Sequence, residues 1–238
     1  MASKNFSDWR TEVAKYVKFQ STYNDTVDSE VKETIRDFCR DTGVWKQTLT
    51  RFSTVADTST YTLTVPSTDG AAEVCYIDSV KYKITDADDD QFKSLTPFTA
   101  EEADLHINGS WSFHEAPDPY KFYSNVDKAL ILYPIPTTAA TDGVLVRVVT
   151  RPTDAATKCT DSIFIEYKRA IAKGAAAALM NMPNKPWSNA EMGQFYHEQY
   201  LSRRDEAYQL VKSGYSKSKQ QVVIPWCGGS RSTRRSAF

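Results

Sequence analysis

The sequence predicts an α+β fold: a discontinuous helical bundle, two N-terminal and two C-terminal helices, carrying an inserted β-sandwich-like domain and ending in an extended C-terminal arm. Three observations lead there. Apolar residues recur at helical spacing towards both ends of the chain. Between them, about seven short alternating runs rich in Thr, Val and Tyr read as strands of a sandwich or small barrel. Helices at the two ends cannot each bury an apolar face alone, so one bundle interrupted by a β insertion is the simplest solution. The expected divisions are 1–44 and 153–214 for the bundle, 45–152 for the β insertion and 215–238 for the arm.

The first helix is expected over 6–20, from Phe6, Trp9, Val13, Tyr16 and Val17. The second carries Val27, Val31, Ile35 and Phe38, with Asp25 or Thr26 as its N-cap and Gly43 at the left-handed stop position. Trp45 then opens the β region, at the hinge between modules or as a core residue. Strands are expected in "WKQTLTRF" (45–52), "STYTLTV" (59–65), "VCYIDSVKYKI" (74–84), "YKFYSN", "KALILYPIP" and "GVLVRVVTRP", the last two stopped by prolines. "FTAEEADLHI" (98–107) reads as a short helix, with Thr99 and Glu102 as a capping box. The third helix is expected over 161–182, its face lined by Phe164, Tyr167, Ile171, Gly174, Ala178 and Met182. The fourth is expected from the cap Ser188, with Glu191 completing a capping box and Trp187 stapled onto Met192. It runs to Gly214, about 37 Å at ~1.5 Å per residue, along Tyr196, Tyr200, Arg203, Ala207, Leu210 and Val211.

The bulk composition is that of a globular protein. The 238 residues are 41% hydrophobic and 25% charged, with a formal net charge of −1, so no global basicity points to nucleic acid. No apolar run reaches membrane-spanning length, and "MASKNFSDWR" lacks a secretory h-region, so the expectation is synthesis without export. Cys39, Cys75, Cys159 and Cys227 are widely spaced without a C-x-x-C pair, against a zinc site or a disulfide framework. Cys39, beside Phe38, reads as core packing.

Chemical motifs are weak. "HEQYL" (197–201) has Leu201 where a zinc-protease helix needs its second His. His106 and His114 lack partners at metal spacing. No phosphate-cradling Gly loop or nucleophile motif is present, so no catalytic, cofactor or metal residue is assigned. "DADDD" (86–90) lacks the Gly of a calcium loop; it reads as a solvated turn, or as an acidic patch across which DNA slides. Trp111, Phe113, Tyr120, Phe122 and Tyr123 read as core or interface, or as a stacking surface.

Four stretches in order, "IRDFCRDTGVW" (35–45), "LILYPIP" (130–136), "RVVTRP" (147–152) and "MPNKPWSN" (182–189), resemble the head-to-tail adaptors of tailed bacteriophages, also called neck, head-completion or tail-tubular-A-type proteins. The resemblance spans about residues 8–212. It implies a non-enzymatic subunit, made in the host cytoplasm and placed in the virion neck at the head–tail interface. Subunits of this kind assemble with themselves into a dodecameric ring. The ring binds the portal protein above and a tail nozzle or tube protein below, and genomic DNA passes through without sequence-specific binding. No membrane is involved. A reading from a different class is a carbohydrate- or surface-binding baseplate or tail module on a helical stem.

The C-terminus fits an arm. After Glu206 there is no acidic residue, while Lys212, Lys217, Lys219, Arg231, Arg234 and Arg235 are cationic. Among them sit Val222, Val223, Ile224, Pro225 and Trp226, followed by Gly228-Gly229. Each large apolar side chain gains roughly 1.5–3 kcal/mol when buried, against about 1–2 kcal/mol per residue for ordering the chain. The expectation is that 215–230 docks on the portal, with Val222–Trp226 as its apolar anchor and Arg231, Arg234 and Arg235 beside it. The competing expectations are that it folds back on its own bundle, or that the basic tail binds DNA phosphates.

Overall fold

The computed structural model describes residues 3–66, 71–83, 91–99, 101–102 and 114–215. The fold is mixed α+β. The helices are α1 (Arg10–Val13), α2 (Asn24–Thr42), α3 (Asp161–Met180) and α4 (Ala190–Lys212). The strands are β1 (Ser3–Asn5), β2 (Lys46–Thr48), β3 (Thr60–Tyr61), β4 (Ala72–Lys83), β5 (Phe92–Ser94), β6 (Thr96–Pro97), β7 (Glu115–Ala116), β8 (Lys121–Ser124), β9 (Leu130–Tyr133), β10 (Ile135–Pro136), β11 (Val144–Pro152) and β12 (Lys158–Thr160).

The N-terminal stripe is right in its face and wrong in its length. Phe6, Trp9, Val13 and Val17 are all buried. The backbone, however, makes a 3-10 turn at Phe6–Trp9, then the single turn α1, and tightens again where Tyr16 N–H donates to the Val13 carbonyl. A helix this short is held by its packing, not its propensity, so the anchors set the path of the chain. β1 pairs with β12, which no sequence pattern signalled.

Two caps differ from expectation. α2 begins at Asn24, behind Tyr23 and without a side-chain cap, because the 3-10 turn Ser21–Tyr23 feeds straight into it. α4 is capped by Asn189, whose Oδ1 accepts from Met192 N–H at 3.1 Å, not by Ser188. Ser188 is spent one residue earlier, its N–H closing a turn onto Lys185. The Thr99–Glu102 capping box is present, at 2.9 and 3.1 Å.

Gly43 ends α2 as its residue type demands. Its φ is +66°, and its N–H donates to the Cys39 carbonyl at 2.9 Å. A Cβ there would lie 2.8 Å from the Tyr76 hydroxyl. Gly43→Ala is therefore expected to cost about 1–2 kcal/mol, mostly from the left-handed backbone. Urea unfolding measures it.

Two four-stranded sheets follow, ordered β2-β11-β4-β5 and β3-β9-β8-β6, with the short pairs β1-β12 and β7-β10 beside them. Both larger sheets supply one apolar core: Val80, Tyr82, Val144, Val146 and Val148 from the first, Phe122, Leu130 and Leu132 from the second. β11 runs antiparallel to β4 along its whole length. Register shifts beside Val148 and Val149 leave Asp78 and Cys75 of β4 without partners. Strand alternation lets consecutive valines serve two sides. Val148 enters the sheet core, while Val149 lies beneath Gly43 at the end of α2.

The second core is helical. α2 contributes Val27, Val31, Ile35, Phe38 and Cys39; α3 contributes Ile163, Ile171, Leu179 and several alanines; α4 contributes Tyr200 and Ala207. At Gly174 α3 packs tightly against Thr34 of α2 and Tyr200 of α4, leaving no room for a Cβ, so small residues on this helix allow close approach as expected. In α4 the inward residue is Arg204, paired with Asp41 at 3.0 Å, and the expected Arg203 points to solvent. Trp45 belongs to the helical core, and its carbonyl accepts from the N–H and hydroxyl of Thr150 on β11, at 2.8 and 3.1 Å. It is a core residue at the point where the chain leaves the helices.

Candidate functional site

Arg36 sits inside the apolar face of α2, only 8% exposed. A buried guanidinium must be paired, and this one meets three carboxylates. It contacts Glu73 of β4 at 3.2 Å, Glu33 at 3.7 Å, and Asp154 just beyond β11. Arg151 of β11 holds the same Glu73 at 2.6 Å, and Lys32 donates to the Asp154 carbonyl at 2.6 Å. The cluster bolts α2 to both central strands of a sheet, so the helical and β parts are held by directional charge pairs as well as by Trp45. Glu73→Gln leaves Arg36 with one charge fewer and is expected to cost about 1–3 kcal/mol in thermal or denaturant unfolding. Only the interruption of an apolar stripe by an arginine hinted at this cluster in the sequence.

The C-terminal end of α4 forms the second feature. Gly214 and Tyr215 have φ of +65° and +58°, and Tyr215 N–H donates back to the Leu210 carbonyl at 2.8 Å. The turn brings Tyr215 against Tyr167 of α3, whose phenol is pushed well up by burial and by the Tyr215 hydroxyl. A groove of about 470 Å³ opens here between α3 and α4. Ala170 and Ala207 form its buried base, and Arg169, Lys173, Arg203 and Leu210 line it. The expected arm residues Val222, Val223, Ile224, Pro225, Trp226, Arg231, Arg234 and Arg235 lie outside the described residues, as do the acidic run 86–90, His106, Trp111, Phe113 and Cys227.

The remaining aromatic residues of the β region divide. Phe122 is buried in the sheet core. Tyr123 packs edge-on against Phe98 at 5.3 Å, and Tyr120 edge-on against Tyr133 at 5.8 Å, with 41% of Tyr120 exposed. His114 lies over Tyr133 at 5.9 Å, and His197 is exposed beside Tyr200. Leu201 packs against the helical core where a metal helix would need its ligand. Cys39 and Cys159 are buried free thiols; burial pushes Cys159 up to about 12, so neither is a poised nucleophile. Among the described residues no helix is long and apolar enough to cross a membrane.

A family model described as SU10 adaptor protein matches residues 4–221, nearly the whole chain. No curated protein matches it.

Proposed function

The chain belongs to the SU10 adaptor protein family, and from that premise we propose that it forms a ring, dodecameric in closed form, between the portal and the tail nozzle or tube of a tailed phage. The family is one of phage head–tail adaptors, structural proteins of the virion neck that associate with other head and tail proteins. The finer statements are our reading. In it, residues 1–44 and 153–214 make one bundle, 45–152 an inserted β-sandwich that meets neighbouring subunits or the nozzle, and 215–238 an arm that docks on the portal. Genomic DNA passes through the ring.

The family match across both the helical and the β parts carries this reading. Two features support it. The separate helical and sheet cores suit a subunit that meets different proteins at its two parts. The Arg36–Glu73–Arg151 cluster holds those parts in fixed orientation, as a load-transmitting neck requires. Among the described residues of the aromatic set, Phe122 lies in the core, Tyr123 is half-buried and Tyr120 is the exposed one, which is not the exposed aromatic cluster the surface-binding alternative expects.

The test is native mass, alone and after mixing with portal rings of the same virus. A subunit that adds to the portal in multiple copies, and does so poorly once 215–238 is deleted, is the expected result. A free trimer or hexamer that ignores the portal would refute it.

A further inference from the structure

Two surfaces of the helical core are left uncovered among the described residues, and their charges are complementary. One is the groove between α3 and α4. Its base is apolar, and Leu210 and Tyr215 on its walls are 41% and 60% exposed. Ile165, one residue from the groove-lining Glu166, is 62% exposed. Three cations line it. Arg169 is exposed and makes no ion pair among the described residues, Lys173 donates to Gln199, and Arg203 pairs with Glu206 at 2.6 Å. Glu206 is thus neutralised, and Glu166 leaves the cations in excess.

The other surface is the outward line of α2. This helix buries Val27, Val31, Thr34, Ile35, Arg36, Phe38, Cys39 and Thr42. What stays exposed before its last turn is Asp25, Ser29, Glu33 and Asp37, spaced four apart and therefore in one row. Glu33 and Asp37 repel each other one turn apart, a small standing cost to the helix. Glu33, 54% exposed, reaches the buried Arg36 only at 3.7 Å, and the Asp37–Arg40 pair at 2.9 Å is half-solvated and weak. α2 packs on α3 and α4 through its buried residues, so this exposed row lies outside that contact, and none of it lines the groove.

We propose that the groove between α3 and α4 is filled by the α2 row of a second copy, the acidic residues meeting Arg169, Lys173 and Arg203. The contact joins two different patches, so it is heterologous, and repeating it closes a ring when the rotation permits. The proposal rests on the adaptor reading and names the face through which neighbouring subunits recognise one another.

Charge reversal tests it. One variant carries Glu33→Lys with Asp37→Lys, a second Arg169→Glu with Arg203→Glu, and a third all four changes. Each is titrated onto portal rings and its occupancy read by native mass, with thermal melts to establish folding. Each double variant is expected to need about tenfold more protein for half-occupancy, since like charges then face each other across the contact. The fourfold variant is expected to recover towards wild type, and the differences to shrink at high salt. Double variants that assemble like wild type, or a fourfold variant as weak as the doubles, would overturn the interface and leave the adaptor role standing. A wild-type protein that never binds in more than one copy would overturn both.

Discussion

Replacing Gly174 with leucine is expected to destabilise the protein by about 3 kcal/mol, the upper end of what overpacking a well-filled core costs. The glycine lies where α2, α3 and α4 meet. A single Cβ would stand 2.7 Å from Thr34 Cγ2 and 2.8 Å from Tyr200 Cδ2. Neither neighbour can retreat. Thr34 is buried and its hydroxyl donates to the Glu30 carbonyl at 2.7 Å, while Tyr200 is buried against Phe38. Alanine at the same position should cost less, because a helical alanine recovers about 1 kcal/mol over glycine. Guanidinium unfolding followed by circular dichroism gives both values. A leucine variant as stable as wild type would mean the three helices do not approach as closely as this.

Trp45→Ala should cost about 3–5 kcal/mol, the usual range for deleting a buried large aromatic side chain. The side chain is 6% exposed in the helical core, yet its carbonyl is bonded to Thr150 of β11. The helical and sheet signals are therefore expected to melt in one transition, shifted down together. Trp45→Phe should retain most of the stability by keeping the ring in place. A sheet that melts unchanged in Trp45→Ala while the helices melt early would show that the joint does not couple the two cores.

Much of this fold is legible without coordinates, for identifiable reasons. The stripe Val27, Val31, Ile35, Phe38 is a period that only a helix can bury on one side, and Gly43 is the residue type that a left-handed stop prefers. The alternating runs around "LILYPIP" and "GVLVRVV" are strands with their breaks at proline. The N-terminal helix length and the β1–β12 pair were set by tertiary packing; two other errors are local ones in which two options have nearly equal energy. Ser188 and Asn189 are equally good caps, and the turn from Lys185 decided between them. Arg203 and Arg204 are adjacent, and the position of Asp41 on a different helix selected Arg204.

The candidate surfaces were less legible. A docking face is a set of side chains left over after packing, so it emerges only when packing is known. The row Asp25, Ser29, Glu33, Asp37 is visible as a pattern, but that it is nearly all α2 leaves uncovered depends on how deeply α3 and α4 bury the rest. The charged cluster at Arg36 joins residues far apart in the chain, from α2, β4, β11 and the turn after it, and no local rule pairs them.

By itself the sequence determined the three long helices, the main strands and their order, the helix-stopping glycine and the family, because periodicity, turn chemistry and residue order act locally or survive as a pattern. Only the tertiary structure decided that Trp45 anchors the helical core while tied to β11, that three helices meet at Gly174, and which charges are buried and which stay exposed. Those outcomes depend on contacts between residues distant along the chain, whose energies exist only once the elements have packed.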